Sequence, residues 1–447
     1  MSADEFYGDI FISVGKNNLN IFATKKMRLF ITALPLAYLC GTIYILLKLW
    51  NCLGKSCNAF LWTRIAIMVL MLLIACSLFI SIGIRNSEVP FWIMKLLHTL
   101  GSVWMVYMFY LILILIPTDI ARLALPYLKS AAWFTSTKIF FGATALVAAV
   151  LIGGYINYIN PKVRHLEISL SARPATEDRQ EILNKVERPL RIVAISDVHL
   201  GYGTGKWLTK RYIDLINRQK PHVVLIAGDL IDNSTKPVAH QQLHLELNRL
   251  EAPMGIYMVP GNHEYISGIE ACKQLMAETS VKILQDSIVT IPLQTYICSN
   301  AKEVASGPVL KIIGRDDRMN SLRRKSLETL LAEAKEEDLP AIGSNSDTSI
   351  GTSNSGKGEI YTIVLDHQPH DLALTDSLCA DIQISGHTHR GQIWPFNLLT
   401  DKLYEQSYGY RKWSHSHIYV SSGLSLWGPP FRIGTRSEIV VMEIKLN

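Results

Sequence analysis

A chain of 447 residues with 49% apolar content is long enough for two or three domains and holds ample material for a core. Its net charge of +6 sits at one end: residues 1–160 hold 12 Lys/Arg and 5 Asp/Glu, leaving 32 and 33 for the remainder. A near-neutral remainder excludes broad nucleic-acid binding, which needs a basic stripe to displace counterions. The positive mean hydropathy points instead to a part that lies in lipid.

The first twenty-five residues are polar and lack the compact apolar region and small-residue cleavage site of a signal peptide. Four apolar segments follow, at 29–50, 60–84, 91–117 and 139–159. Each approaches or exceeds the ~20 residues a helix needs to cross ~30 Å of hydrocarbon. Runs such as Leu111–Ile116 offer water no polar face, and Trp50, Trp62, Trp92 and Tyr155 mark the interfacial ends. Four spans put both termini on one side. That side's flanks carry nine Lys/Arg against six in the opposite loops, which places the C-terminal part in the cytoplasm, at the cell (inner) membrane. Cys40, Cys52, Cys57, Cys76, Cys272, Cys298 and Cys379 form no metal-type spacing. Cys52 and Cys57 are close enough to pair across a short loop or to remain free thiols.

From residue 161 the pattern becomes α/β. Val163–Leu170 alternates like a strand, and 174–188 is charged and helical in composition. Strand-like runs recur at 191–196, 222–227, 254–259, 309–314, 360–365 and 382–385, with helical stretches between, and two more close the chain at 418–421 and 438–444. Such alternation predicts layered sheets and helices rather than a bundle or sandwich. The Ser/Gly-rich stretch 341–358 reads as a flexible inserted loop. The expected division is therefore a membrane region, 1–160, and a second domain, 161–447.

Five short blocks carry the chemistry, each at or just past a strand end: Asp197-Val198-His199, Gly228-Asp229-Leu230-Ile231-Asp232, Gly261-Asn262-His263-Glu264, Asp366-His367 and Gly386-His387-Thr388-His389. The carboxyl ends of strands in an α/β sheet face a shared crevice, so five such blocks can converge. Histidine, aspartate and an asparagine carbonyl, with no thiolate, suit Zn, Fe or Mn. Seven ligands exceed what one ion needs but serve two ions ~3.5–4 Å apart that share a carboxylate.

These ordered blocks resemble the signature of the calcineurin-like metallophosphoesterases, over about 163–447. With the apolar segments and Gly423–Pro430, the chain is similar more narrowly to transmembrane metallophosphoesterases, a group related to UDP-2,3-diacylglucosamine hydrolases of lipid A biosynthesis. The resemblance implies a layered fold of two β-sheets flanked by helices after the four-helix region. It implies two divalent metal ions, one held by Asp197, His199, Asp229 and His389, the other by Asp229, Asn262, His367 and His387. Asp229 would bridge them. His263 would be no ligand but would stabilise or protonate the leaving oxygen. Asp232 stands where related phosphatases keep the acid that orients this histidine, though a turn or cap role fits the sequence equally. Glu264 replaces the aspartate of many relatives.

Arg390 and Arg432 are the candidate substrate-binding residues, and Arg315-Asp316-Asp317-Arg318 reads as a self-paired surface cluster. The resulting expectation is a hydrolase that cleaves a phosphate ester or pyrophosphate bond by in-line attack of a metal-bridging hydroxide. Its partners are the bilayer and a phosphorylated small-molecule or lipid-linked substrate, with UDP-2,3-diacylglucosamine the leading candidate. The alternatives are a general phosphomonoesterase or phosphodiesterase, and a membrane sensor that binds metal without turnover.

Overall fold

A computed structural model describes residues 25–56, 61–84, 87–125, 127–128, 135–170, 189–293, 308–336 and 360–446. The expected helix at 174–188 and the loop at 341–358 lie outside the described residues, as do Cys57 and Cys298. The chain divides into two compact units: 1–160 with 426–433, and 161–425 with 434–447.

The first unit contains helices α1 (Lys25–Ser56), α2 (Leu61–Gly83), α3 (Phe91–Ala124) and α4 (Ser136–Ile159). All four contain a stretch long and apolar enough to cross a membrane. Helix α3 runs 34 residues, past Pro117, and buries Trp104, Met108, Leu111 and Leu115. Gly101 lets it approach α2, since a Cβ there would lie 2.3 Å from the Leu78 backbone nitrogen. Leu34, Leu47, Leu70, Leu73, Leu146 and Ile152 point outward and are more than half exposed, an arrangement stable in hydrocarbon and costly in water. Where α3 outruns the apolar stretch, Asp119 takes the Tyr44 hydroxyl (2.7 Å) and the Lys48 ammonium (2.5 Å). In Leu426–Ile433, the Arg432 N–H donates to the Gly154 carbonyl at 3.0 Å.

The second unit is built on two mixed six-stranded sheets. The first comprises β1 (Lys162–Leu170), β2 (Leu190–Ile195), β3 (Val223–Ala227), β4 (Ile256–Val259), β5 (Val281–Ile283) and β12 (Glu438–Leu446), in the order β1-β12-β2-β3-β4-β5. The second comprises β6 (Ser287–Pro292), β7 (Val309–Gly314), β8 (Ile360–Leu365), β9 (Ile382–Ser385), β10 (Gly409–Lys412) and β11 (His417–Val420), in the order β10-β11-β9-β8-β7-β6. Strands β2 to β5 are parallel, as are β7, β8, β9 and β11.

One face of each sheet enters a common core. Leu225 and Ala227 of β3 and Tyr257 and Val259 of β4 share it with Leu310, Ile312, Ile363, Leu365 and Ile384. The other face of β3, Val224 and Ile226, is also buried, which explains why this strand reads as an unbroken apolar run. Helix Lys206–Asn217 buries Leu208, Tyr212, Ile213 and Ile216 on one side, the spacing of an amphipathic covering helix.

The expected α/β layering and two sheets flanked by helices are observed. Three strands were not anticipated, β5, β6 and β10, and all three are sheet edges. His417 lies in β11, an internal strand, and its ring stacks on Tyr410; only His415, in the preceding turn, is exposed.

Candidate metal centre

All five blocks emerge where strands end. The first three follow β2, β3 and β4 of the first sheet, and the others follow β8 and β9 of the second. The loops are laced together by backbone hydrogen bonds: Asp197 N–H donates to Gly228 O, His199 N–H to Asp229 O, both at 3.0 Å, and Gly386 N–H to His367 O at 2.9 Å. The site therefore spans the carboxyl ends of both sheets.

Three close groupings result. In one, His389 Nε2 lies 3.1 Å from His199 Nε2 and 3.4 Å from Asp197 Oδ1, and His199 Nε2 is 3.8 Å from Asp229 Oδ2. In the second, His367 Nε2 lies 3.1 Å from the same Asp229 oxygen and 3.2 Å from Asn262 Oδ1, which is 2.9 Å from His387 Nδ1. In the third, Asp232 Oδ1 stands 3.4 Å from both His199 Nδ1 and His263 Nδ1. Asp232 thus faces two histidines, where sequence reasoning paired it with His263 alone.

The donor chemistry fits a cation. His367 Nδ1 is 2.7 Å from the Ala227 carbonyl, which can only accept, so Nδ1 carries the proton. In the neutral ring Nε2 then presents a lone pair to Asp229 Oδ2 and Asn262 Oδ1, two further acceptors. Three electron-rich atoms meet with no hydrogen between them, and only a metal ion or a second ring proton relieves that. Burial opposes the charged ring, but Asp229, Asp197 and Asp317 raise its pKa well above the usual histidine value. Asp232, 3.4 Å from His199 Nδ1, favours the tautomer protonated at that nitrogen, which leaves Nε2 for an ion. Burial also opposes charge on His263, yet Asp229 and Asp232 raise its pKa to about 9.

Backbone strain is concentrated here. Asp197, His199, Asp229, His387 and His389 all adopt left-handed conformations, with φ between 45° and 69°. Non-glycine residues rarely do so, at roughly 1 kcal/mol or more each, and clustering of this kind marks functional sites. Gly228 has φ +80° and a Cβ on it would come within 2.4 Å of His367 Nδ1. Gly228→Ala is therefore expected to displace His367, reducing bound metal and lowering the melting temperature, both measurable on the purified chain.

Sequence reasoning missed the function of Glu264. It is buried, and its carboxylate accepts the N–H groups of Gly261 (2.7 Å), Ile231 (2.9 Å) and Asp229 (3.0 Å). It thus ties the loop after β3 to the loop after β4. Burial and the Asp229 charge raise its pKa, whereas the N–H donors favour the ionised form. Glu264→Ala strands three buried donors at about 1–3 kcal/mol each, so thermal unfolding should show a loss of several kcal/mol. The only sequence signal was an acid three residues after a capping glycine.

The Arg315–Arg318 stretch is not a self-paired surface cluster. Arg315 is buried and donates to Asp366 at 2.7 Å, which Arg324 also reaches at 2.6 Å. Asp316 accepts from Tyr265 (2.5 Å), Asp317 from Gln368 (3.0 Å), and Arg318 pairs with Asp371. Each partner is distant in sequence, so local spacing gave no hint. Arg390 follows His389 directly, and its guanidinium lies 4.3 Å from the Tyr408 ring centre. Arg432 is fully buried in the Leu426–Ile433 segment of the first unit.

Comparison with known proteins agrees with this geometry. Residues 190–391 match the model of the calcineurin-like phosphoesterase family. An uncharacterized metallophosphoesterase of Helicobacter pylori is 31% identical over 61% of this chain and 64% of its own length. The chain thus spans just under two thirds of that relative. A transmembrane protein with metallophosphoesterase domain from Danio rerio is 27% identical over 86% of this chain and 80% of its own length, a match too long to lie within 161–447. An uncharacterized metallophosphoesterase of Bacillus subtilis is 29% identical over 68% of this chain and 94% of its own length.

Proposed function

We propose that the protein is a membrane-anchored phosphoester hydrolase whose site holds two divalent cations. The observation that carries this reading is Asp229 Oδ2, within 3.8 Å of His199 Nε2 on one side and 3.1 Å of His367 Nε2 on the other. Asp197, His199 and His389 with Asp229 would hold one ion; Asn262, His367 and His387 with Asp229 the other. Bound there, such cations would lower the pKa of water and neutralise charge on the phosphoryl oxygens.

The chain's own residues do the rest. His263, held protonated beside Asp232, gives its proton to the leaving oxygen as the bond to phosphorus breaks. Asp232 orients both His263 and His199. Arg390, its guanidinium 4.3 Å from the Tyr408 ring centre, is the candidate for bidentate contact with a phosphate.

Residues 161–447 form the catalytic domain, and 1–160 hold it at the cell (inner) membrane with the site on the cytoplasmic side. A domain so anchored meets amphiphilic phosphoesters most readily, which favours a lipid-linked substrate such as UDP-2,3-diacylglucosamine. Turnover of that compound beside simple nucleotides, by the detergent-solubilised chain with Mn²⁺, tests the substrate. Faster cleavage of the lipid-linked compound is expected, and equal rates would remove the lipid preference. No turnover of any phosphoester with any metal would leave the non-catalytic sensor.

A further inference from the structure

The apolar helices join the second unit through the start of strand β1. Helix α4 ends at Ile159 and β1 begins at Lys162, a connection that reaches at most ~10 Å. Strand β1 runs parallel to β12, and β12 antiparallel to β2. The first residues of β1 therefore stand at the same end of the sheet as the last residues of β2, β3 and β4. That end carries Asp197, Asp229 and Asn262. If α4 crosses a bilayer, the start of β1 therefore lies within ~10 Å of the end of that helix.

From the start of β1, a short run of contacts leads to an exposed apolar segment. Arg164 donates to Glu438 at 3.0 Å, and its guanidinium is 5.8 Å from the Tyr408 ring centre. A second guanidinium, that of Arg390, lies 4.3 Å from the same ring centre. Its neighbour Gly391 is so close to helix Phe396–Leu403 that a Cβ would meet the Asn397 nitrogen at 2.3 Å. None of this helix's residues is buried. Trp394 is 49% exposed, Phe396 42%, Leu398 54% and Leu399 52%. Elsewhere among the described residues of this domain, large exposed apolar side chains are isolated, as at Trp207 and Leu322. Four in six positions is a patch, and patches of this kind mark surfaces that something covers. Tryptophan and phenylalanine beside paired leucines, with Lys402 in the last turn, is the composition of a helix that lies in a bilayer interface.

We propose that Trp394, Phe396, Leu398 and Leu399 dip into the bilayer interface and seat the metal centre, through the adjoining His389–Gly391 turn, against the membrane surface. A phosphoester at headgroup depth then reaches the site without leaving the bilayer. The inference rests on α1 to α4 crossing a membrane, and it stands whether or not the substrate is a lipid.

The test uses the full chain in phosphatidylethanolamine–phosphatidylglycerol nanodiscs, with photoreactive benzoylphenylalanine placed at Leu398 or, as a control, at the 99% exposed Leu322. Unchanged metal content shows that each chain is folded. Irradiation should give a lipid adduct at position 398 about tenfold above that at 322, as expected for a side chain held ~5–10 Å into the interface. Equal lipid yields at the two positions, or cross-linking of 398 to a second copy of the chain, would overturn the proposal. A chain that forms the adduct yet hydrolyses nothing keeps this inference and loses the enzymatic one.

Discussion

His263→Ala is expected to hydrolyse a chromogenic phosphodiester about 10²–10⁴-fold more slowly than the parent chain, the usual contribution of a positioned general acid. Bound metal should be unchanged. His263 directs Nδ1 at Asp232, 3.4 Å away, and lies in neither grouping that shares Asp229 Oδ2. Its backbone N–H donates to Asp229 Oδ1 at 2.9 Å, a contact the substitution keeps. The leaving group provides a further check. A phenol with a low pKa needs little protonation, so the defect should shrink as the leaving group improves. Loss of metal in this variant, measured by plasma mass spectrometry, would move His263 into the ligand set and refute its role as acid.

Asp229→Asn is expected to do the opposite, losing metal and activity together. The carboxylate is the one group shared by both groupings, and its Oδ2 faces His199 and His367. Asparagine keeps an acceptor for the His263 N–H but removes the negative charge that two cations would share. Changes one shell further out typically weaken metal binding ~10–100-fold, so loss of a direct, shared ligand should exceed that for both ions. Calorimetric titration of the metal-free variant with Mn²⁺ measures this. Weakening of one ion alone, with the other at parental affinity, would show that Asp229 does not bridge. The comparison with His263→Ala is the informative one, because both variants are slow and only one should be depleted of metal.

Much of the second unit was legible because its central strands are buried on both faces and so carry no polar interruption. Val223–Ala227 and Ile256–Val259 are the clearest cases. The edge strands β5, β6 and β10 have one paired side and mixed composition, so three residues of Val281–Ile283 or the polar Gly409–Lys412 give no periodic signal. The ligand-type residues were legible from their order after strand ends. Their left-handed backbone was not, since only glycine announces that conformation in a sequence. Glu264 and Asp366 were equally hidden. A buried acid that clamps N–H groups, or two arginines from 42 and 51 residues away, looks the same in sequence as an acid in a solvated turn. Asp232 gained a second histidine, His199 of the loop after β2, because the resemblance pointed only to His263.

We propose that the site takes two ions and needs both for turnover. Chelator-treated chain, free of metal, should be inactive toward a chromogenic phosphodiester and should regain turnover as Mn²⁺ is added, with activity saturating at two bound ions per chain. Turnover that survives complete metal removal, or that saturates at a single bound ion, would contradict it.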